Sequence, residues 1–173
     1  MILPETFDLA RRFRNEPLEY WLIGGNAIEL VVDHDVRDHD DIDFMVAHQD
    51  ALRAVQILQA LGFEHAHGSL DDGDVFYRRG ALLVDLVPVC AETDPPRMLG
   101  ALSGLCFPAG FLTPYLATHG GEQFPTLSPR MHLQMKTVVA EFYGVPPREK
   151  DVQDVRALQA HLQRGRVLAG EAG

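Results

Sequence analysis

The sequence predicts an α/β (α+β) protein with a small mixed, twisted sheet. Helices would pack on one side of it, and a C-terminal helical segment would form one wall of a cleft. Three observations carry this expectation. Residues 41–46, Asp41-Ile42-Asp43-Phe44-Met45-Val46, alternate as a strand does. Residues 81–87, Ala81-Leu82-Leu83-Val84-Asp85-Leu86-Val87, form a nearly continuous apolar run that fits a central strand buried on both faces. Around these strands, apolar residues recur at helical spacing.

Taken in order, Phe7, Ala10 and Phe13 predict an amphipathic helix over 5–15. Pro17 separates it from a short strand, Tyr20-Trp21-Leu22-Ile23, whose aromatics belong in the core. Gly24-Gly25 ends that strand, and Asn26 is the expected N-cap of a helix through Val32. A charged loop, 33–40, leads to the strand with Asp41 and Asp43. Leu52, Val55, Leu58 and Leu61 mark the next helix, with Gly62 just past its end. Strands at 63–67 and 75–79 flank a turn at Asp71-Asp72-Gly73-Asp74. Pro95-Pro96 divides a core, residues 1–96, from a C-terminal region, residues 97–173. Short strands are expected around Leu105 and Phe111. Ser128-Pro129 reads as an N-cap followed by Pro at N1, opening a helix to Tyr143 that Gly144 closes. After Pro146-Pro147, a last helix carries Val152, Val155, Leu158 and Leu162, and the tail past Gly165 is expected to fray.

Composition narrows the function classes. A 46% hydrophobic fraction over 173 residues can build one real core. The net charge of −10 argues against a sequence-independent nucleic-acid binder, which would present a basic surface. No apolar run is long enough for a membrane span, and residues 1–5 lack the sections of a signal peptide, so the cytoplasm is the expected location. Two cysteines, Cys90 and Cys106, make neither a disulfide framework nor a zinc cage and are expected to be buried.

The chemistry concentrates in the acids. Side chains alternate across a strand, so Asp41 and Asp43 leave by one face. Two adjacent carboxylates repel, and a hard cation such as Mg²⁺ between them relieves the repulsion. Asp85 is a lone acid in an apolar strand, where an unpaired carboxylate is costly and calls for a metal, a cation or a raised pKa. If the two strands are neighbours, the three acids meet on one edge of the sheet. A Gly-Gly turn opening a helix offers bare N–H groups to a phosphate. Metal and phosphate cradle together point to nucleotide chemistry.

These residues resemble the polymerase-β-type nucleotidyltransferase superfamily, with its Gly-Gly or Gly-Ser turn, Asp-hydrophobic-Asp and later carboxylate. Trp21-Leu22-Ile23-Gly24-Gly25 followed by Arg37-x-His39-x-Asp41-Ile42-Asp43 is similar to the small aminoglycoside (2''-type) and lincosamide nucleotidyltransferases, over roughly residues 18–90. The resemblance implies the nucleotidyltransferase fold. It also implies Asp41 and Asp43 as Mg²⁺ ligands, and Asp85 as general base, ligand of a second metal, or both. Gly24, Gly25 and Asn26 would line the triphosphate cradle, with Arg37 neutralising its charge. The family often has an aromatic or small residue where this chain has Asn26. A looser similarity in the C-terminal region brings Lys136 and Lys150 toward the phosphates. A solvated Lys150, with Asp151 and Asp154 serving the helix N-terminal dipole, explains the same residues equally well.

Other motifs are weaker. His34-Asp35 and His39-Asp40 lie in a loop rather than on a helix, which tells against a metal-dependent phosphohydrolase, and His39 fits a loop-orienting role better than a metal ligand. His65 and His67 lack a third ligand. Residues 33–44 fail as a calcium loop, with Asp38 at the glycine position and Phe44 at the glutamate position. Neither a Walker A sequence nor a Rossmann glycine fingerprint is present.

The expected function is Mg²⁺-dependent transfer of a nucleoside monophosphate, AMP from ATP, to a hydroxyl of a small molecule, with release of pyrophosphate. The resemblance implies an aminoglycoside or lincosamide acceptor. The alternatives are a toxin-type enzyme that modifies tRNA or protein, and a non-catalytic nucleotide-binding module of the same fold.

Overall fold

The computed structural model describes the backbone of residues 1–170 and the side chains of residues 1–165. Helix α1, Pro4–Arg14, leads to strand β1, Tyr20–Ile23, and helix α2, Gly24–Val32. Strand β2, Asp41–Ala47, helix α3, His48–Ala60, and strands β3, Glu64–Ser69, β4, Asp74–Arg79, and β5, Leu82–Cys90, follow. The remainder comprises β6, Arg97–Met98, a hairpin of β7, Tyr115–His119, and β8, Glu122–Thr126, then helices α4, Pro129–Tyr143, and α5, Glu149–Gly170.

The strands form one mixed sheet in the order β3-β4-β5-β2-β1-β8-β7, with β6 on β5. β2 lies antiparallel to β1 and parallel to β5, so both acid-bearing strands are central neighbours. The sheet continues past residue 96, because β8 pairs parallel to β1 at Leu22 and Thr126.

Strand alternation assigns the two faces. Tyr20, Leu22, Ile42, Phe44, Val46, Val84 and Leu86 pack with α1 and α3 in one core. Phe13 of α1 meets Phe44 edge-on with ring centroids 4.8 Å apart, and the Tyr20 hydroxyl donates to the Ala10 carbonyl at 2.7 Å. Trp21, Ile23, Met45, Val87 and Val89 face the other way, under Met98, Leu102, Phe107, Phe111 and Met135. Both faces are therefore covered, and α4 lies opposite α1 and α3. The expectation of helices on one side alone is corrected: β2 and β5 carry apolar residues on both faces, and each set needs a partner.

Other expectations are corrected too. Asn26 is not an N-cap. Ile23 holds that position, Gly24 begins the helix, and Asn26 is buried within the first turn. Leu52 is 62% exposed, while Val55 and Leu58 face the core and Leu61 packs partly buried against it. Cys90 is half-buried and Cys106 exposed, since both border the open segment around β6. The strands expected near Leu105 and Phe111 are turns around a 3-10 helix at Gly100–Leu102, and the regular hairpin lies further on. Ser128 does cap α4, its hydroxyl accepting from Met131 N–H at 3.4 Å. The fraying expected past Gly165 falls largely on residues whose side chains, and from 171 the backbone, lie outside the described residues.

Candidate active site

On β2 the second face begins with Asp41 and Asp43 and becomes apolar at Met45. On β5 Asp85 lies between Leu83 and Val87 on that face. Asp43 stands in direct register with Asp85, and Ile23 stands opposite Asp43 on the other flank. The acids thus gather where β1 turns into α2. Burial raises the pKa of Asp43, and Asp41 raises it further. Burial, then Asp43, Asp74 and Asp41, raise Asp85 well above the ordinary carboxylate range. One oxygen of Asp85, Oδ1, is buried without a hydrogen-bond partner.

The two glycines have separate reasons to be glycine. Gly24 has φ +70°, and a Cβ there would collide with the Asp43 carboxylate. A Cβ on Gly25 would collide with the Arg37 guanidinium and the His39 ring. The α2 N-terminus therefore presses directly on the residues beside it. Asn26 fastens this turn: its amide donates to the Asp41 carbonyl at 2.7 Å and its side-chain oxygen accepts from Leu3 N–H at 2.8 Å. Asn26 is 1% exposed, so it supports the turn from behind.

The loop before β2 is organised by Glu29, which sequence reasoning passed over. Glu29 is 1% exposed and accepts the backbone N–H groups of Val36 and Arg37 at 2.7 and 2.9 Å. Burial alone would raise its pKa, yet these bonds hold it below the usual value. His39 Nε2 lies 3.0 Å from Glu29 Oε1, though not aligned as a hydrogen bond. Burial lowers the His39 pKa, and Nδ1 faces Arg37 at 3.1 Å. His39 thus sits between Glu29 and Arg37 inside the loop.

Arg37, Lys136 and Lys150 do come toward the acids. All three act electrostatically to lower the Asp43 pKa against its burial. Arg37 does not stand free, however. Its guanidinium forks onto Asp154 of α5 at 2.9 and 3.1 Å. Lys136 of α4 reaches both Asp151 and Asp154 at 2.8 Å, and Arg148 bonds Asp151 at 2.7 Å. Asp154, for which a helix-dipole role is one of two equal readings of the sequence, holds two cations. Its signal in the sequence was an acid four residues before Leu158 on the docking face of a helix.

Behind the site, His132 Nε2 lies 2.9 Å from Thr126 Oγ1, which itself donates to the Leu22 carbonyl at 2.7 Å. The Thr126 proton is committed, so His132 must donate from Nε2, and its Nδ1 is left buried without a partner. Burial, and then Lys136, push the His132 pKa down to about 3. This neutral imidazole ties α4 to the strand that leads into Gly24. A surface cavity of about 790 Å³ lies elsewhere, beside Tyr20, Trp21, Tyr115 and Gln123 at the far end of β1.

Among the described residues, no three His, Cys, Asp or Glu side chains stand close enough together to hold a metal ion. Asp41, Asp43 and Asp85 share a face and a strand end without being drawn into one shell. Their chemistry nevertheless fits a hard divalent cation. The donors are all carboxylate oxygens, Asp41 raises the Asp43 pKa, Asp43 and Asp41 raise that of Asp85, and one buried oxygen is unpartnered.

A mixed sheet of this order, with helices on both faces and a Gly-Gly turn beside paired acids, defines a nucleotidyltransferase. A model of the aminoglycoside-2''-adenylyltransferase family matches residues 6–158, and the chain belongs to that family. Solved structures share its fold. The lincomycin-bound lincosamide antibiotic adenylyltransferase LnuA superposes with a TM-score of 0.69 at 16% identity, over 92% of this chain and 98% of its own. The antibiotic-resistance factor ANT(2'')-Ia gives 0.66 at 21% identity in complex with adenylyl-2''-tobramycin, over 95% and 89%. In solution it gives 0.63 at 22%, over 97% and 92%. No curated protein sequence matches the chain. No helix among the described residues is long and apolar enough to cross a membrane.

Proposed function

We propose that this chain transfers a nucleoside monophosphate, AMP from ATP, to a hydroxyl of an aminoglycoside or lincosamide, releasing pyrophosphate. The observation that carries this reading is the register of Asp43 with Asp85 beside Gly24, inside a family of adenylyltransferases. Asp41 and Asp43 would hold Mg²⁺, with Asp85 able to join them; the ion would neutralise triphosphate charge and polarise the α-phosphoryl group. The N–H groups of the Gly24-Gly25 turn would receive phosphate oxygens at a helix N-terminus. Arg37, Lys136 and Lys150 would supply cationic balance.

Asp85 is suited to take the proton from the acceptor hydroxyl. Its raised pKa makes it a better base than an ordinary carboxylate, and its unpartnered oxygen leaves a place for that proton. The acceptor oxygen then attacks the α-phosphorus, forming the new P–O bond as the bond to pyrophosphate breaks.

The test is pyrophosphate release from Mg-ATP across a panel of aminoglycosides and lincosamides. Acceptor-dependent release that disappears in Asp43→Asn supports the reading. ATP binding without release against any member removes the antibiotic assignment.

A further inference from the structure

We propose that Asp154 is a positioning residue for nucleotide binding: it holds Arg37 and Lys136 in place beside the Gly24-Gly25 turn. The inference rests on the reading that this site takes a nucleoside triphosphate.

Asp154 is wholly buried, one turn before Leu158, which packs on Ile28 and Val32 of α2. An apolar residue at such a place would dock the helix without desolvating a charge. A buried ion pair is weak evidence for stability, so its value here must be sought in the geometry it fixes. That geometry is specific. Both carboxylate oxygens are used, Oδ1 on Arg37 Nε and Oδ2 on Arg37 Nη2 and Lys136 Nζ. Three separate elements meet at this one acid: the loop before β2, α4 and α5. Arg37 itself abuts Gly25 and carries the field of Asp41 and Asp43.

Two effects of Asp154 on triphosphate binding oppose each other. As an anion it repels the phosphates and competes for both cations. As the fork partner of Arg37 it keeps a guanidinium, only 11% exposed, where the phosphates arrive. The second effect dominates. A buried guanidinium stripped of its carboxylate is too costly to stay, and its side chain withdraws toward water. Lys136 keeps Asp151 as a partner and suffers less. Loss of Asp154 should therefore act like loss of Arg37, and the sign of the effect separates the two accounts.

The experiment is calorimetric titration of the full chain with Mg-ATP and Mg-GTP, comparing wild type, Asp154→Asn, Arg37→Gln and the double variant. Asp154→Asn is expected to weaken triphosphate binding by about tenfold or more. The double variant is expected to bind like Arg37→Gln within about twofold, since both changes remove one device. A purely structural role would lower the melting temperature yet leave affinity below that temperature unchanged. Unchanged or tighter binding by Asp154→Asn overturns the proposal. Should that variant fail to fold, the double variant leaves no guanidinium buried without its carboxylate; its binding more than about fivefold weaker than Arg37→Gln overturns the proposal as well. A wild-type chain that binds neither nucleotide overturns the underlying reading, and this inference with it.

Discussion

Asp43 and Asp85 face each other in register across the parallel β2–β5 pair, at the end of the sheet where β1 turns into α2. Burial and the neighbouring acids raise both: Asp41 acts on Asp43, and Asp43 acts on Asp85. The pairing weakens the fold in the absence of a cation, and that defines the first prediction.

Asp43→Asn removes one of two half-buried acids that stand side by side. Its folded pKa is raised, so in wild type the charged form at neutral pH costs stability. The variant should melt about 2–4 °C higher without Mg²⁺, a gain of ~1 kcal/mol. It should lose about 10²-fold or more of nucleotidyl transfer. Thermal denaturation in EDTA, paired with pyrophosphate release, checks both. A variant that melts lower than wild type would contradict the account.

Gly24→Ala should be far more damaging than an ordinary surface change. It places a Cβ at φ +70° and into the Asp43 carboxylate. A loss of roughly 1–3 kcal/mol is expected from backbone strain alone. Gly120→Ala serves as the comparison. That glycine also has positive φ, but a Cβ on it meets nothing within 4 Å. Denaturant unfolding of the two should differ, and Mg-ATP affinity should fall only for Gly24→Ala.

His132 supplies a pH dependence. Its folded pKa, about 3, lies below the ordinary 6.5, so the unfolded chain binds the proton first as pH falls. Its contribution to stability is fully present above pH 6.5 and is lost as pH drops toward 3, with a slope of up to about 1.4 kcal/mol per pH unit. Lys136 opposes protonation and Asp154 favours it. His132→Gln keeps a donor for Thr126 but removes the titration. Urea unfolding between pH 4.5 and 7 should give a shallower pH slope for the variant, with His39 common to both proteins.

Phe13→Ala tests the core beneath the site. Phe13 is fully buried and contacts both Tyr20 and Phe44. A loss of about 3–5 kcal/mol is expected by denaturant unfolding. Mg-ATP affinity well below the melting temperature should be preserved, because the carboxylates leave by the opposite face of β2.

Much of this arrangement was legible in the chain. Alternation placed Asp41 and Asp43 on one face, and the cost of a lone acid singled out Asp85. The sequence could not show which strands are neighbours, since the β2–β5 pairing spans α3, β3 and β4. The β7–β8 hairpin escaped because Pro125 and exposed residues break its alternation. Gly120-Gly121, between two short runs, was its available signal. Asn26 was mistaken for a cap because Gly24, in the left-handed region, starts the helix two residues earlier. Glu29 was passed over, and the partners of Asp154 were not legible, for a different reason. A buried acid is indistinguishable from a solvated one until its partners, here 8 and 117 residues away, are folded against it.

The most direct test follows the phosphorus. The chain is incubated with Mg-ATP labelled at either the α- or the γ-phosphate and an acceptor that stimulates pyrophosphate release, beside Asp85→Asn. The account predicts α-label on the acceptor, γ-label in pyrophosphate, and loss of both in the variant. γ-Label on the acceptor, or α-label transferred undiminished by Asp85→Asn, would contradict it.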